Sequence, residues 1–213
     1  MESIHTFDAP LRFYGLQVGC RMTVIDIDGA LLLHSPIDID PQRLEALGTP
    51  RWLLAPNRLH HLHVGPWLAR GLEGWAAPGL PERRPDLDFQ HVVDREMAPF
   101  GDAVRLIPMK CFPFTSEVVV LHVPSRTLIV TDLVFNFDAK TPAMTRFALW
   151  ASGAYPGCRV SILERFGMKR ALARDEIAAL LDLDFDRLIV SHGKIMASGG
   201  KDALRSAYRW LGV

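Results

Sequence analysis

The stretch Trp52-Leu53-Leu54-Ala55-Pro56-Asn57-Arg58-Leu59-His60-His61-Leu62-His63 decides how the rest of the chain is read. Residues 51–55 form a compact apolar run that stops at Pro56, as a buried strand does, and three of the eight histidines follow at once. In α/β folds the ends of strands direct side chains into a shared crevice, which is where ligand-binding groups belong. Two further strand ends repeat the arrangement. Asp132 closes Leu128-Ile129-Val130-Thr131, and His192, followed by Gly193, closes Leu188-Ile189-Val190-Ser191. Three buried strands that each end in an imidazole or a carboxylate supply what a metal site assembled across a sheet needs.

Each group taken alone has an ordinary structural use. His60 and His63, three apart, can share one polar face of a helix with His61 beside them on the surface. Most histidines ligate nothing. Asp132 can form a turn or cap a helix, and His192 can be a loop residue before the tight turn at Gly193. Their joint occurrence, each after a buried strand, carries more weight than any one of them.

Outward from these positions the pattern is that of an α/β protein. Residues 22–27 and 30–34 are β-rich and separated by Asp28-Gly29, a pair suited to a type I′ turn. Residues 41–47 predict a short helix between Asp40-Pro41 and Gly48. Residues 59–72 read as helical, interrupted at Gly65-Pro66, and 77–99 as irregular, with a short strand near Trp75. Strands are expected over 104–109, 117–123 and 127–132, the last two joined at Pro124-Ser125-Arg126. Residues 118–121 and 128–130 are apolar throughout, which means burial on both faces. Amphipathic helices over 143–151 and 174–181, a buried strand over 187–190 and a helix over 201–211 complete the chain. A strand-rich centre with helices at both ends predicts one α/β domain over 1–213, an αββα sandwich, with an ordinary three-layer α/β domain as the alternative. Gly199-Gly200-Lys201 lacks the preceding strand and the spacing of a nucleotide-binding loop.

Composition narrows the function classes. The 213 residues are 49% hydrophobic and 23% charged, as in an ordinary globular protein. Twenty-four basic residues offset twenty-four acidic ones, so no net field draws in nucleic acid or an anionic membrane. The apolar runs are strand-sized and predict no membrane span. With Glu2 and no apolar run before Leu11, the start of the sequence reads as neither a signal nor a transit peptide. Cys20, Cys111 and Cys158 are few and widely spaced, which suits reduced thiols. The expectation is a soluble cytoplasmic protein with a small-molecule substrate or ligand and no nucleic-acid or membrane partner. A homodimer through residues 77–99 is a further option on which the sequence is silent.

The ordered set of motifs resembles the metallo-β-lactamase fold superfamily, and more closely a bacterial branch of it. The superfamily's strand leading into an HxHxDH loop looks like residues 57–61 here. Its strand ending in a metal-bridging Asp looks like 127–132, and its last Gly-His-Gly-like turn looks like Ser191-His192-Gly193. The branch appears in Ala55-Pro56-Asn57 with His60-His61, in residues 116–122, in Ser125-Arg126-Thr127-Leu128 and in residues 131–136. The likeness runs from about Phe13 to Trp210. It departs from the family where the first two histidines of HxHxDH are not recognisable. The histidine expected near Phe112-Pro113-Phe114-Thr115 is also missing. One register places His60 at the family's Asp and His61 at its final His; another, anchored on Gly65, uses His60 and His63.

The resemblance implies a depleted, single-metal site formed by His60, His61, Asp132 and His192. Zn²⁺ suits such ligands, with Fe or Mn as alternatives. A zinc with three protein ligands and a water gives a hydroxide nucleophile near neutral pH, for ester, thioester, amide or phosphoester cleavage. Asp132 would be a ligand or the orienter of that water. Glu117 and His122, five apart on a strand, face opposite ways, so Glu117 is the better second base. Asn57, His63, Arg126 and Asn136 are candidate substrate-binding groups, Arg126 as an anion clamp. The alternative function is a non-catalytic, ligand-binding or scaffold descendant with no metal.

Overall fold

Burial on both faces of the apolar strands is met by two stacked sheets, each covered by helices on its outer side. The computed structural model describes residues 3–213, so Glu2 lies outside the described residues. The first half of the chain runs β1 (Ile4–Ala9), the small hairpin β2 (Arg12–Phe13) and β3 (Leu16–Gln17), β4 (Cys20–Ile27), β5 (Ala30–His34), α1 (Gln42–Glu45), β6 (Thr49–Ala55), α2 (Val64–Leu68), β7 (Glu73–Ala76), α3 (Leu80–Arg83) and β8 (His91–Val92). The second half runs β9 (Val104–Pro108), β10 (Val118–His122), β11 (Thr127–Val130), β12 (Phe135–Phe137), α4 (Ala143–Ala151), β13 (Gly157–Arg159), α5 (Ile162–Gly167), α6 (Arg170–Asp182), β14 (Arg187–Val190), α7 (Gly200–Tyr208) and a 3₁₀ turn at Arg209–Leu211.

The first sheet has the order β1-β4-β5-β6-β7-β8 and the second β14-β11-β10-β9. Strand β5 pairs parallel with β6, and β11 parallel with β14. Alternation of side chains along each strand sorts the core into three layers. Ile25, Leu32 and Leu54 of the first sheet meet Val120, Ile129 and Ile189 of the second in the middle layer. Leu31, Leu33 and Leu53 point outward to Leu44, Val64 and Trp67 of the helices. On the far side Val119, Leu128 and Val190 pack against Ile177, Leu204 and Tyr208. This is the expected αββα sandwich.

Several local expectations hold. Asp28 and Gly29 both have positive φ (53° and 85°), as a type I′ turn requires. The three cysteines are free thiols. Among the described residues no helix is long and apolar enough to cross a membrane. The helix read over 59–72 is not there as such. Residues 60–63 form turns, and α2 starts only at Val64, with Gly65-Pro66 inside its first turn, where proline costs no hydrogen bond. The irregular region 77–99 contains the short α3 and β8. Strands β1, β12 and β13 and helix α5 were not foreseen.

Candidate metal centre

The polar groups that follow β6, β11 and β14 meet at one end of the sandwich. Past β6, the Pro56 carbonyl accepts a hydrogen bond from Val118 N (2.7 Å), and Arg58 N donates to the Thr115 carbonyl (2.8 Å). The loop after a first-sheet strand is thereby stitched to the loop before a second-sheet strand. Asn57, fully buried, shapes that loop. Its Oδ1 accepts from Leu59 N and His60 N, both at 2.8 Å, closing an Asx turn that presents the His60 ring. Its Nδ2 donates to Thr131 Oγ1 (2.8 Å) and Asp132 Oδ2 (2.7 Å).

Asp132 is held from its backbone as well. Buried Glu117 accepts hydrogen bonds from Thr131 N (2.6 Å) and Asp132 N (2.8 Å), one on each carboxylate oxygen. His192 is fixed from three sides. Its ring meets the Gly19 carbonyl (2.7 Å) and its own carbonyl accepts from Asn136 N (3.1 Å). Buried Arg21 donates to the carbonyls of Val190 (2.6 Å) and Gly193 (2.9 Å) on either side. Gly193 has φ +99°, and a Cβ there would lie 2.1 Å from the Asn136 carbonyl, so only glycine lets the turn pass.

The result is a trio. His60, Asp132 and His192 offer ligand atoms that all lie within 4.8 Å of one another. The two Nε2 atoms are 3.3 Å apart. His60 Nε2 is 3.4 Å from Asp132 Oδ2, and His192 Nε2 is 3.4 Å from Oδ1. Charge-assisted N–H···O contacts normally close to about 2.7–2.9 Å, so the groups stand apart as if around something. A tetrahedral ion about 2.0–2.1 Å from its ligands separates them by about 3.3–3.4 Å. Because a carbonyl only accepts, His192 Nδ1 carries the proton toward Gly19 and leaves Nε2 as the lone-pair face in the neutral ring. Ser35 Oγ sits 2.7 Å from His60 Nδ1 and braces that ring through the corresponding nitrogen. The donor set, two outward-braced imidazoles and a carboxylate, fits a divalent cation.

The electrostatics agree. Burial raises the Asp132 carboxyl, but His60 and His192 outweigh it and hold it well below the usual carboxylate range. Burial lowers the His192 imidazole and the Asp132 carboxylate more than offsets it, so the net shift is upward. Burial, then Asp132, pushes the Glu117 carboxyl up against the two backbone N–H groups. A buried anion flanked by imidazoles is stabilised by an added cation.

Comparison with solved structures places this geometry in a known fold. The chain is similar to DIM-1 metallo-β-lactamase (14% identity, 97% of this chain and 93% of that one, TM-score 0.67). It is similar to FIM-1 from Pseudomonas aeruginosa in its mono-zinc form (11%, 98% and 90%, 0.68). It also matches the metallo-β-lactamase of Pontibacter korlensis (10%, 97% and 95%, 0.67). The chain has the metallo-β-lactamase fold. No protein-family model matches the sequence, and no curated protein matches it.

Within the metallo-β-lactamase fold the candidate residues separate clearly. His60, Asp132 and His192 come together, with Asn57 bracing two of them. His61, expected among the ligands, turns Nδ1 to Arg84 Nη1 at 2.6 Å, outside the trio. His60, common to both registers, is the one of the three histidines that joins Asp132 and His192. His63 lies just before α2 and is not part of the trio. Glu117, expected as a base, has both oxygens occupied by backbone N–H groups and no exposure, so it holds the 131–132 turn instead. Arg126, expected as an anion clamp, pairs with Asp184 (2.7 Å) at the opposite end of β11 from Asp132. Asn136 donates to the Lys194 carbonyl (2.7 Å). His122 bonds Ser125 Oγ (2.7 Å) at the far end of β10. The bracing groups Ser35, Gly19 and Arg21 carried no sequence motif that marked them.

Proposed function

We propose that this protein is a metal-dependent hydrolase whose single-cation centre is held by His60, Asp132 and His192. The observation that carries the reading is the trio itself: three convergent ligand atoms following three strand ends, two of them on buried residues, each ring braced through its other nitrogen. The mono-zinc form of FIM-1 supports one cation as a workable complement for the fold. Zinc suits the donors best, with Fe or Mn as the alternatives. When bound, such a cation polarises a substrate carbonyl or phosphoryl oxygen and acidifies water.

The chain's own residues supply order. Ser35 and Gly19 hold the two rings, Asn57 and Glu117 hold the Asp132 carboxylate, and Arg21 anchors the His192 turn. The substrate is a small ester, thioester, amide or phosphoester in this reading. The test is a panel of chromogenic substrates of those four classes, with metal removed by chelator and restored. Turnover of at least one class that vanishes with the metal and returns with it is expected. Activity indifferent to chelation, or absent from fully metal-loaded protein on every class, contradicts the proposal.

A further inference from the structure

Helices α4 and α5 set apolar side chains against water. On α4, Met144, Phe147 and Trp150 recur every three residues and so share one stripe; all three are exposed, and the Phe147 and Trp150 rings stack at 6.1 Å. Away from that stripe, buried Thr145 accepts a hydrogen bond from Gln17 N (2.9 Å) and ties α4 to the protein. On α5, Leu163 and Phe166 are 75% and 86% exposed, Ile162 is exposed with them, and no residue of the helix is buried. The two helices adjoin. Ile162 N donates to the Ser152 carbonyl (2.8 Å), and a Cβ placed on Gly153 would lie 3.6 Å from Ile162 Cγ1. Exposed apolar residues scattered singly need no cause, but six on two adjoining helices do.

Positive charge gathers in the same segment. Residues 139–170 carry six basic groups, Lys140, Arg146, Arg159, Arg165, Lys169 and Arg170, against one acid, Glu164. The zero balance of the whole chain conceals this local excess. Among the described residues none of the six side chains pairs with a carboxylate. Arg146, Arg159 and Arg170 donate to backbone carbonyls, and Arg165 and Arg170 lie over the Trp210 ring (5.5 and 5.9 Å), contacts that leave the charge in place. Acids flanking the segment are held elsewhere: Asp138 by Lys194 (3.6 Å), and Glu176 by the N–H groups of Lys110 and Cys111 (3.0 and 2.9 Å). Exposed aromatic and aliphatic groups set among unpaired cations suit the headgroup region of an anionic bilayer. Tryptophan settles at that boundary, and long basic side chains reach from it to the lipid phosphates.

We propose that the α4–α5 face docks this protein on an anionic lipid surface, with Phe147, Trp150, Leu163 and Phe166 at the acyl boundary and the basic groups against headgroup phosphates. Docking is peripheral, since among the described residues no helix is long and apolar enough to cross the bilayer. A second copy of the chain is a poorer occupant. An isologous pairing through this face would set the cations of one protomer against those of the other, and like charges brought together oppose association. A groove-bound peptide is poorer too, because side chains as exposed as Leu163 and Phe166 project from the surface instead of lining a cleft. None of these residues belongs to the trio, so docking and metal binding are separate properties.

The test sediments the whole protein with vesicles of phosphatidylcholine alone or with about one-third phosphatidylglycerol, and records tryptophan emission on the same samples. Wild type is expected to bind the anionic vesicles about tenfold or more tighter than the neutral ones and to release in about 1 M salt, which screens the surface. Its emission shifts to the blue as Trp150 leaves water. One variant combines Leu163→Ser with Phe166→Ser, and a second combines Arg159→Glu with Lys169→Glu. Each is expected to weaken anionic-vesicle binding about tenfold or more. All four positions are exposed, so both variants are expected to keep the melting temperature of wild type. No binding of wild type to anionic vesicles at low salt overturns the proposal, as does binding that both folded variants retain. Dimers that the Leu163→Ser, Phe166→Ser variant disperses, without vesicle binding, would make the face a self-association surface. Capture by soluble polyglutamate without vesicle binding would make the partner an acidic protein. Either result overturns the proposal and leaves the reading of the metal centre untouched.

Discussion

Asn57 satisfies four groups at once, Leu59 N, His60 N, Thr131 Oγ1 and Asp132 Oδ2, the last two buried, and it does so across the gap between the two sheets. Truncation to alanine leaves all four without this partner, Thr131 and Asp132 among them in the buried interior. Asn57→Ala is expected to cost about 2–4 kcal/mol, read from urea denaturation, and to weaken metal binding because His60 and Asp132 lose their common brace. A loss under about 0.5 kcal/mol with unchanged metal affinity contradicts this role. His60, Asp132 and His192 were legible in the sequence because each is polar and each follows an apolar strand. That His61, read with His60 as a ligand, turns away from the trio was not legible. It depends on the Asx turn at Asn57 and on Arg84, twenty-three residues from His61, and neither follows from local spacing.

Among the elements, the turn after β14 is the one whose backbone shape most constrains the placing of a trio residue. Gly193 combines φ +99° with contact against the Asn136 carbonyl, so a side chain there must push β12 away from the His192 turn. Gly193→Ala is expected to destabilise the protein by about 3 kcal/mol or more and to lower metal affinity, checked by thermal denaturation and metal titration on the same sample. Wild-type affinity in a folded Gly193→Ala protein contradicts the account of the turn. The long elements could be read ahead because β10, β11 and β14 are apolar on both faces and α4 and α6 have helical period. Strands β12 and β13, three residues each, are too short for any period to register. Helix α5 hides for a different reason: Ile162, Leu163 and Phe166 are exposed and none of its residues is buried, so the usual rule has no core-facing stripe to find.

The whole molecule explains why the centre exists where it does. His60 follows a strand of the first sheet, whereas Asp132 and His192 follow parallel neighbours in the second. Packing Leu32 and Leu54 against Ile129 and Ile189 brings those ends into register, and the trio closes over the top of that shared layer. The αββα arrangement was readable from the order of strands and helices. The one-to-one meeting of residues from both sheets was not, because it depends on how two twisted sheets are stacked. The measurement that tests the central claim most directly is the metal content of untagged protein, wild type beside His192→Ala and Asp132→Ala. The account predicts about one divalent ion per chain in wild type, retained through dialysis, and near none in either folded variant. Wild type that stays empty after dialysis against Zn²⁺, Mn²⁺ and Fe²⁺, or variants that hold metal as well as wild type does, would contradict it.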